Sequence, residues 1–94
     1  MDIKFTPTAR EMFLDSLLHI QKENPIVAQT FKDKTEKSLW RLIEFPQSGK
    51  RIHEFPGLPF REIIISPYRF FYRVKNETVW VVAVWHSAQI PKRS

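Results

Sequence analysis

Arginine and histidine side chains in the C-terminal half of the chain have the chemistry needed to act on a phosphate ester. The candidate catalytic residues are Arg69, Arg73 and His86. Guanidinium groups bind phosphate oxygens through paired hydrogen bonds and neutralise the negative charge that develops during cleavage. A histidine that titrates near neutral pH can give a proton to the leaving oxygen. These residue types would together suit phosphate chemistry on a single strand of RNA.

Neighbouring residues would extend such a site along the nucleic acid. Further phosphate contacts and base stacking would come from the substrate-binding candidates Lys50, Arg51, Arg61, Phe71 and Trp80. Each candidate also has an ordinary structural alternative. The arginines can be cross-strand partners of Glu54 and Glu62, His86 can be a hydrogen-bonded structural residue, and Trp80 can belong to the core.

The net charge of +5 lies entirely in the same half of the chain. Residues 1–49 contain seven Lys/Arg and seven Asp/Glu, whereas residues 50–94 contain eight Lys/Arg and three Asp/Glu. A basic field on one side is typical of proteins that meet nucleic acid, the ribosome or an acidic partner. Function is therefore expected on the C-terminal half.

Composition excludes several other kinds of chemistry. The 94 residues include no cysteine and two glycines, so disulfides, thiolate metal sites and glycine-rich phosphate loops are not expected. The three histidines lack metal-ligand spacing, and we expect neither a metal nor another cofactor. The longest apolar run, Val79 to Trp85, is too short for a membrane helix. We expect one domain over residues 1–94, located in the cytoplasm.

Helical signals occupy the first half of the chain. Asp2 to Phe5 reads as a short strand, and Thr6-Pro7 and Asn24-Pro25 are cap-then-proline signals. Apolar residues at helical spacing predict helices over Thr8–Lys22 and Pro25–Glu44. Their short connection predicts an antiparallel helical hairpin.

The second half has the alternating, β-branched and aromatic pattern of strands. The predicted strands are Arg51–Phe55, Phe60–Ile65, Arg69–Lys75 and Thr78–His86. The connections are too short for crossover helices, so the strands must form an antiparallel meander. The expected fold class is α+β, with a short N-terminal strand, the helical hairpin and the meander packed on the helices.

A two-residue turn at Asn76-Glu77 predicts the register of the last hairpin. Lys75 then faces Thr78, and the predicted pairs continue as Arg73 with Trp80, Phe71 with Val82 and Arg69 with Val84. This register places Phe70, Tyr72, Val74, Val79, Val81, Ala83 and Trp85 under the helices. It leaves Arg69, Phe71, Arg73, Trp80, Val82, Val84 and His86 on the opposite face. The candidate catalytic residues would then share one surface, while the face of Arg61 stays undetermined.

The pattern from Arg61 to Val74, REIIISPYRFFYRV, followed by Val81 to Ala88, VVAVWHSA, resembles the RelE/ParE superfamily of bacterial toxins, including plasmid stabilisation proteins. The resemblance covers nearly the whole chain in element order. It implies the growth-inhibiting toxin of a type II toxin–antitoxin module with a compact microbial-ribonuclease-like fold. It also implies a cognate antitoxin, acidic and partly disordered, that wraps the toxin and holds it inactive.

The superfamily contains two activities. ParE-like members poison DNA gyrase, whereas RelE-like members are endonucleases that cut ribosome-bound mRNA without a metal ion. By resemblance, Arg69 matches the arginine that RelE-like enzymes use on the scissile phosphate, and His86 ends the last strand where a catalytic side chain lies. The sequence after His86 departs from the nuclease pattern and is nearer the ParE branch, although Gln89 replaces the arginine usual there.

Three functions follow from this comparison. The first is a ParE-like toxin that acts on a topoisomerase by protein–protein contact. The second is a metal-independent mRNA endonuclease that uses Arg69, Arg73 and His86, so the sequence leaves open whether the protein is an enzyme. The third is an inactive domain that binds an antitoxin or RNA. Grooves beside the helices and the exposed sheet edge are the predicted docking sites for an antitoxin strand or helix.

Overall fold

The computed structural model describes residues 1–54 and 56–89. The elements, in order, are β1 (Asp2–Phe5), α1 (Pro7–Glu23), α2 (Pro25–Glu44), β2 (Lys50–Arg51), β3 (Arg61–Ile65), β4 (Tyr68–Lys75) and β5 (Thr78–His86). One turn of 3-10 helix over Ser87–Gln89 follows β5. This α+β architecture, with the strand meander packed on the helices, confirms the predicted fold class.

The two helices begin where the sequence places their caps. The Thr6 hydroxyl accepts a hydrogen bond from the Ala9 N–H at 3.2 Å, and Pro7 starts α1 one residue before the predicted boundary. The Asn24 carboxamide oxygen accepts from the first free N–H groups of α2 at 3.0 and 3.2 Å. Proline at the first helical position costs nothing there, because its missing N–H would have no helical partner. Both cap signals therefore act as predicted.

The sheet has five strands in the order β1-β5-β4-β3-β2. Strands β2 to β5 are antiparallel neighbours, as the short connections require, and β1 adds in parallel to β5. The predicted strand over Arg51–Phe55 is wrong: only Lys50 and Arg51 pair with β3, and a turn begins at His53. The end of that prediction, Phe55, lies outside the described residues.

The β4–β5 hairpin has the predicted turn. Asn76 and Glu77 have φ values of 51° and 59°, the positive values that a type I′ turn requires at both central residues. Lys75 faces Thr78 and Arg73 faces Trp80, as predicted. The turn therefore specifies the register of the adjoining half of the hairpin.

From Phe71 back to Arg69, the predicted partners in β5 are wrong by one residue. Tyr72 pairs with Val81, but Phe71 pairs with Ala83. Val82 is thus the extra residue of a β-bulge, which reverses the alternation of side chains in the rest of β5. Arg69 consequently pairs with Trp85 instead of Val84.

The core lies between the helices and one face of the sheet. Phe70, Val81 and Val84 are buried there with Ala9 of α1 and Phe31 of α2. A second buried group joins Leu42 of α2 to the sheet residues Tyr72 and Val79. We call the sheet surface on the other side, away from the helices, the outer face.

Candidate functional site

The bulge separates the three candidate catalytic residues. Cross-strand partners share a face, so Arg69 lies on the outer face with Trp85, whereas His86 lies on the helix side with its partner Tyr68. The predicted common face for Arg69, Arg73 and His86 is therefore wrong. The cause of this separation is the extra residue Val82. It reverses the faces on which the following side chains of β5 lie.

His86 is packed against aromatic and helical residues. Its ring meets the Tyr68 ring edge-on, with centroids 5.2 Å apart. Its Nδ1 accepts a hydrogen bond from the Ala88 N–H at 3.1 Å. Residues of α1, including Asp15 and His19, line the same recess. His86 is thus positioned between the sheet and α1.

Arg69 is held by two carboxylates. Its Nε donates to Glu62 at 2.6 Å, and its two terminal nitrogens donate to Glu54 at 3.0 and 3.3 Å. Both ion pairs found among the described residues belong to this arginine. Its side chain is 8% exposed, and the guanidinium carbon lies 5.1 Å from the centre of the Phe71 ring. These contacts occupy the fork that a phosphate would need.

The charges in this cluster stabilise one another. Hydrogen bonding from Arg69 lowers the pKa of Glu54 below its ordinary value. The same hydrogen bonds to Glu54 raise the pKa of Arg69, against the opposing effect of burial. One guanidinium and two carboxylates sum to a charge of −1. The cluster formed by Arg69, Glu54 and Glu62 is therefore not a cationic site.

Arg73 belongs to a different environment at the other end of β4. It lines a cavity of about 250 Å³ beside the start of β3, together with Arg51 and Arg61. The remaining lining residues are Pro46, Gln47, Leu58, Pro59, Phe60, Tyr72 and Val74. We call this space the arginine pocket. Among the described residues, its lining contains three guanidinium groups and no carboxylate.

Tyr72, which lines the arginine pocket, makes a close contact with Gly49. The Tyr72 hydroxyl accepts from the Gly49 N–H at 2.9 Å and donates to the Pro46 carbonyl at 2.8 Å. Burial raises the pKa of this hydroxyl, so it remains a donor at physiological pH. Arg61 donates to the Gly49 carbonyl at 2.9 Å and lies on the helix side with its partner Tyr72. The face of Arg61, undetermined from sequence, is thereby assigned.

The remaining candidates are dispersed over the outer face. Lys50 pairs with Glu62 in the sheet and its side chain is exposed. Phe71 lies under the Arg69 guanidinium, and Lys4 covers the ring of Trp80 at 5.8 Å. Cations of the protein itself therefore lie over both rings proposed to stack on bases.

Sequence reasoning missed two features that depend on distant contacts. Phe60, read as the start of a strand, instead lies 5.8 Å from the Arg73 guanidinium carbon and lines the arginine pocket. In the sequence, Gly49 stands out only as one of two glycines, whereas a Cβ there would come within 2.8 Å of the Glu62 carbonyl oxygen. The scarcity of glycine in the sequence was the one available signal that this position is special.

One edge of the sheet is open within the described chain. β2 pairs only with Arg61 and Glu62, which leaves Ile63 to Ile65 without a strand on that side. A groove of about 790 Å³ runs between this edge and the C-terminal half of α2. Ile64 is 60% exposed beside it. Lys34, Lys37 and Arg41 of α2 lie along the same edge.

The described residues offer neither a metal site nor a membrane-spanning helix. No group of three or more acidic or histidine side chains is placed to hold a metal ion in residues 1–54 and 56–89. Within the same ranges, neither α1 nor α2 has the length and apolar character needed to cross a bilayer.

Comparisons with known proteins identify the family. Residues 3–91 match the model of the ParE toxin of type II toxin-antitoxin system, parDE. Among solved structures, the chain is similar to one from the chromosomal ParDE TA system of P. aeruginosa, with a TM-score of 0.73 and 15% identity over 92% of this chain and 95% of that one. It also aligns with the conserved hypothetical protein HP0894 from Helicobacter pylori over 97% of this chain and 99% of that chain, at 15% identity and a TM-score of 0.49. Comparison with curated proteins found no match. Because the family model covers nearly the entire sequence, the chain belongs to the ParE toxin family of type II toxin–antitoxin systems.

Proposed function

We propose that this toxin acts by protein–protein contact with DNA gyrase, the activity implied by its resemblance to the ParE branch. The observation that carries the proposal is the separation of Arg69 from His86 on opposite faces of the sheet. Acid catalysis requires the proton donor to lie within hydrogen-bond reach of the reacting group. A phosphate bound on the outer face at Arg69 would be out of reach of His86.

The state of Arg69 supports the same proposal. RelE-like chemistry would require this arginine to exchange two carboxylates for a phosphate. Glu62 is largely buried with it, at 11% exposure of its side chain. Removing Arg69 from such a pair leaves a buried charge without compensation, which is strongly unfavourable. Arg69 is therefore best suited to a structural role, in which its hydrogen bonds link β4 to β3 and to the segment that follows β2.

A DNA supercoiling assay tests this function. Purified toxin should inhibit gyrase, and Arg10→Gln, a charge change on the exposed side of α1, should inhibit equally. The antitoxin-bound toxin should have no effect. If supercoiling is unaffected while a translated message is cut at codon-phased positions, the toxin is instead an mRNA endonuclease, and the proposal fails.

We infer further that the cognate antitoxin adds an extended segment to the open edge of β3. A Cβ at Gly49 would meet the Glu62 carbonyl, which therefore points toward β2. Backbone groups two residues apart in a strand point the same way, so the N–H and C=O of Ile64 point outward beyond the end of β2. An exposed edge of this kind is a template for pairing with another chain.

Charge indicates the composition of that segment. Lys34, Lys37 and Arg41 border the edge, so acidic residues on the incoming strand would be attracted to α2. The exposed Ile64 would in turn contact an apolar side chain of the partner. The expected segment is therefore extended, with acidic and apolar residues in alternation.

Amide hydrogen exchange can locate the antitoxin. The toxin should be compared alone and with the product of a small reading frame beside its gene. We expect new protection at the Ile64 amide. Lys34→Glu combined with Lys37→Glu should weaken the complex, whereas Lys22→Glu, at the far end of α1, should not. Protection confined to the outer edge of β1 would contradict this docking site.

A further inference from the structure

We propose that the arginine pocket binds a phosphoryl anion. Arg51, Arg61 and Arg73 place three positive charges around a space of about 250 Å³, and none of them forms an ion pair among the described residues. A guanidinium is always charged at physiological pH and presents a planar fork of donors that matches phosphate oxygens. Anion binding in this pocket does not depend on which macromolecule the toxin attacks.

Two of the arginines face each other across the β2–β3 strand pair. Arg51 and Arg61 are cross-strand partners in the β2–β3 pair, an arrangement in which like charges destabilise the sheet. Arg61 is fixed by its hydrogen bond to the Gly49 carbonyl, which uses one of its five donors. An anion between the two guanidinium groups would convert their repulsion into two attractions.

Arg73 supplies the second, independent observation. Its Nε is buried and has no hydrogen-bond partner among the described residues. An unsatisfied buried donor costs the full desolvation energy of the group, and more so when the group is charged. The guanidinium also lies 5.8 Å from the Phe60 ring, which limits the directions that the fork can take. Because this Nε is closed to solvent, an anion in the pocket would bind the terminal nitrogens of the Arg73 guanidinium and offset the cost of burying the group through its charge.

The charge balance favours a phosphoryl group over a single carboxylate. Three guanidinium groups without a carboxylate can neutralise a dianion, and several oxygens are needed to accept from three separate forks. A phosphate monoester or free phosphate meets both conditions. The terminal phosphate of a nucleic acid and inorganic phosphate share this chemistry, and binding experiments can distinguish them.

Calorimetric titration of the toxin tests the site. The probes are inorganic phosphate, a dinucleotide with a 5′-phosphate, the same dinucleotide with a 5′-hydroxyl, and a glutamate-rich peptide. We expect the first two to bind and the 5′-hydroxyl form to bind more weakly. Tighter binding of the phosphorylated dinucleotide than of phosphate would identify a nucleic-acid end as the source, and the reverse order would identify free phosphate.

Variants locate the binding to the pocket. Arg73→Gln should weaken phosphate binding about tenfold or more, the loss expected for one charge-assisted hydrogen bond. Arg51→Gln, at an exposed position, offers the same test with less risk to folding, and Arg10→Gln is the matched control on α1. Phosphate should also raise the unfolding temperature of the wild type and the control. Equal binding of phosphate by the wild type and all three variants would overturn the proposal. So would the absence of phosphate binding, or a titration in which only the glutamate-rich peptide binds.

Discussion

Arg69 and Arg73 lie on the same strand and the same face, yet the protein uses them differently. Arg69 donates to both Glu54 and Glu62 and is largely buried. Arg73, four residues along β4, has a buried Nε without a partner in the described chain and lines a pocket with two further arginines. A charge counted from the sequence is therefore a poor guide to the charge available to a ligand. The charge that a ligand meets depends on whether neighbouring strands and turns supply carboxylates to the arginine.

Arg69 and Arg73 should differ most in what each contributes to the stability of the fold. Arg69→Met leaves Glu62 largely buried without a counter-charge, and we expect a loss of about 3–5 kcal/mol of unfolding free energy. Arg73→Met removes an unsatisfied donor and should change that free energy by no more than about 1 kcal/mol. Urea denaturation of both variants measures the contrast. Equal losses would show that the two arginines have the same structural role.

The close contact of Gly49 with Tyr72 and the Glu62 carbonyl gives the next largest effect. In Gly49→Ala the new Cβ would lie 2.6 Å from the Tyr72 ring and 2.8 Å from the Glu62 carbonyl oxygen, and both groups are fixed. We expect a loss of about 1–3 kcal/mol, as for other overpacked sites. Gly57→Ala is the matched control, since a Cβ there meets nothing within 4 Å. Similar stabilities for the two alanine variants would argue against the close contact.

The pH dependence of stability should reveal the contribution of the Glu54–Arg69 ion pair. Because Arg69 lowers the pKa of Glu54 below its ordinary value of 4.5, the ion pair stabilises the fold above that value. This stabilisation is lost as the pH falls through the lowered pKa of the folded state. Unfolding free energies should therefore decrease less on acidification in Glu54→Gln than in the wild type. An identical acid dependence would mean that Glu54 does not contribute.

The smallest effect is expected for His86→Ala on growth inhibition. A general acid contributes about a hundredfold or more to catalysis, so its removal from a nuclease would abolish toxicity. A residue placed between Tyr68 and α1 should leave toxicity unchanged once the variant is shown by circular dichroism to fold. Loss of toxicity in a folded variant would assign a direct role to His86.

Local signals in the sequence were sufficient for most of the fold. Thr6-Pro7 and Asn24-Pro25 start the helices, and Asn76-Glu77 specifies the near half of the last hairpin. The bulge at Val82 was not predictable, because β5 is apolar on both faces from Val79 to Trp85. A strand with apolar residues on both faces does not specify its own register.

The candidate site was less predictable for a related reason. The sequence identifies its arginines as cations, but the partners of those arginines come from segments far away in sequence. Glu54 lies fifteen positions from Arg69 and reaches it only because the chain turns at His53 instead of continuing as a strand. The arginine pocket likewise depends on the segment that contains Leu58 to Phe60. The sequence names Glu54 and Glu62 as alternative partners of the arginines, but spacing and alternation do not show that both bind Arg69.

The most direct test of the proposed activity is to map nucleic-acid breaks in one culture that expresses the toxin without its antitoxin. DNA ends covalently linked to gyrase and mRNA ends within translated codons should be counted from the same cells. We expect accumulation of gyrase-linked DNA ends without codon-phased mRNA ends, and the same result for His86→Ala. Codon-phased mRNA ends that disappear in His86→Ala, without gyrase-linked breaks, would contradict it.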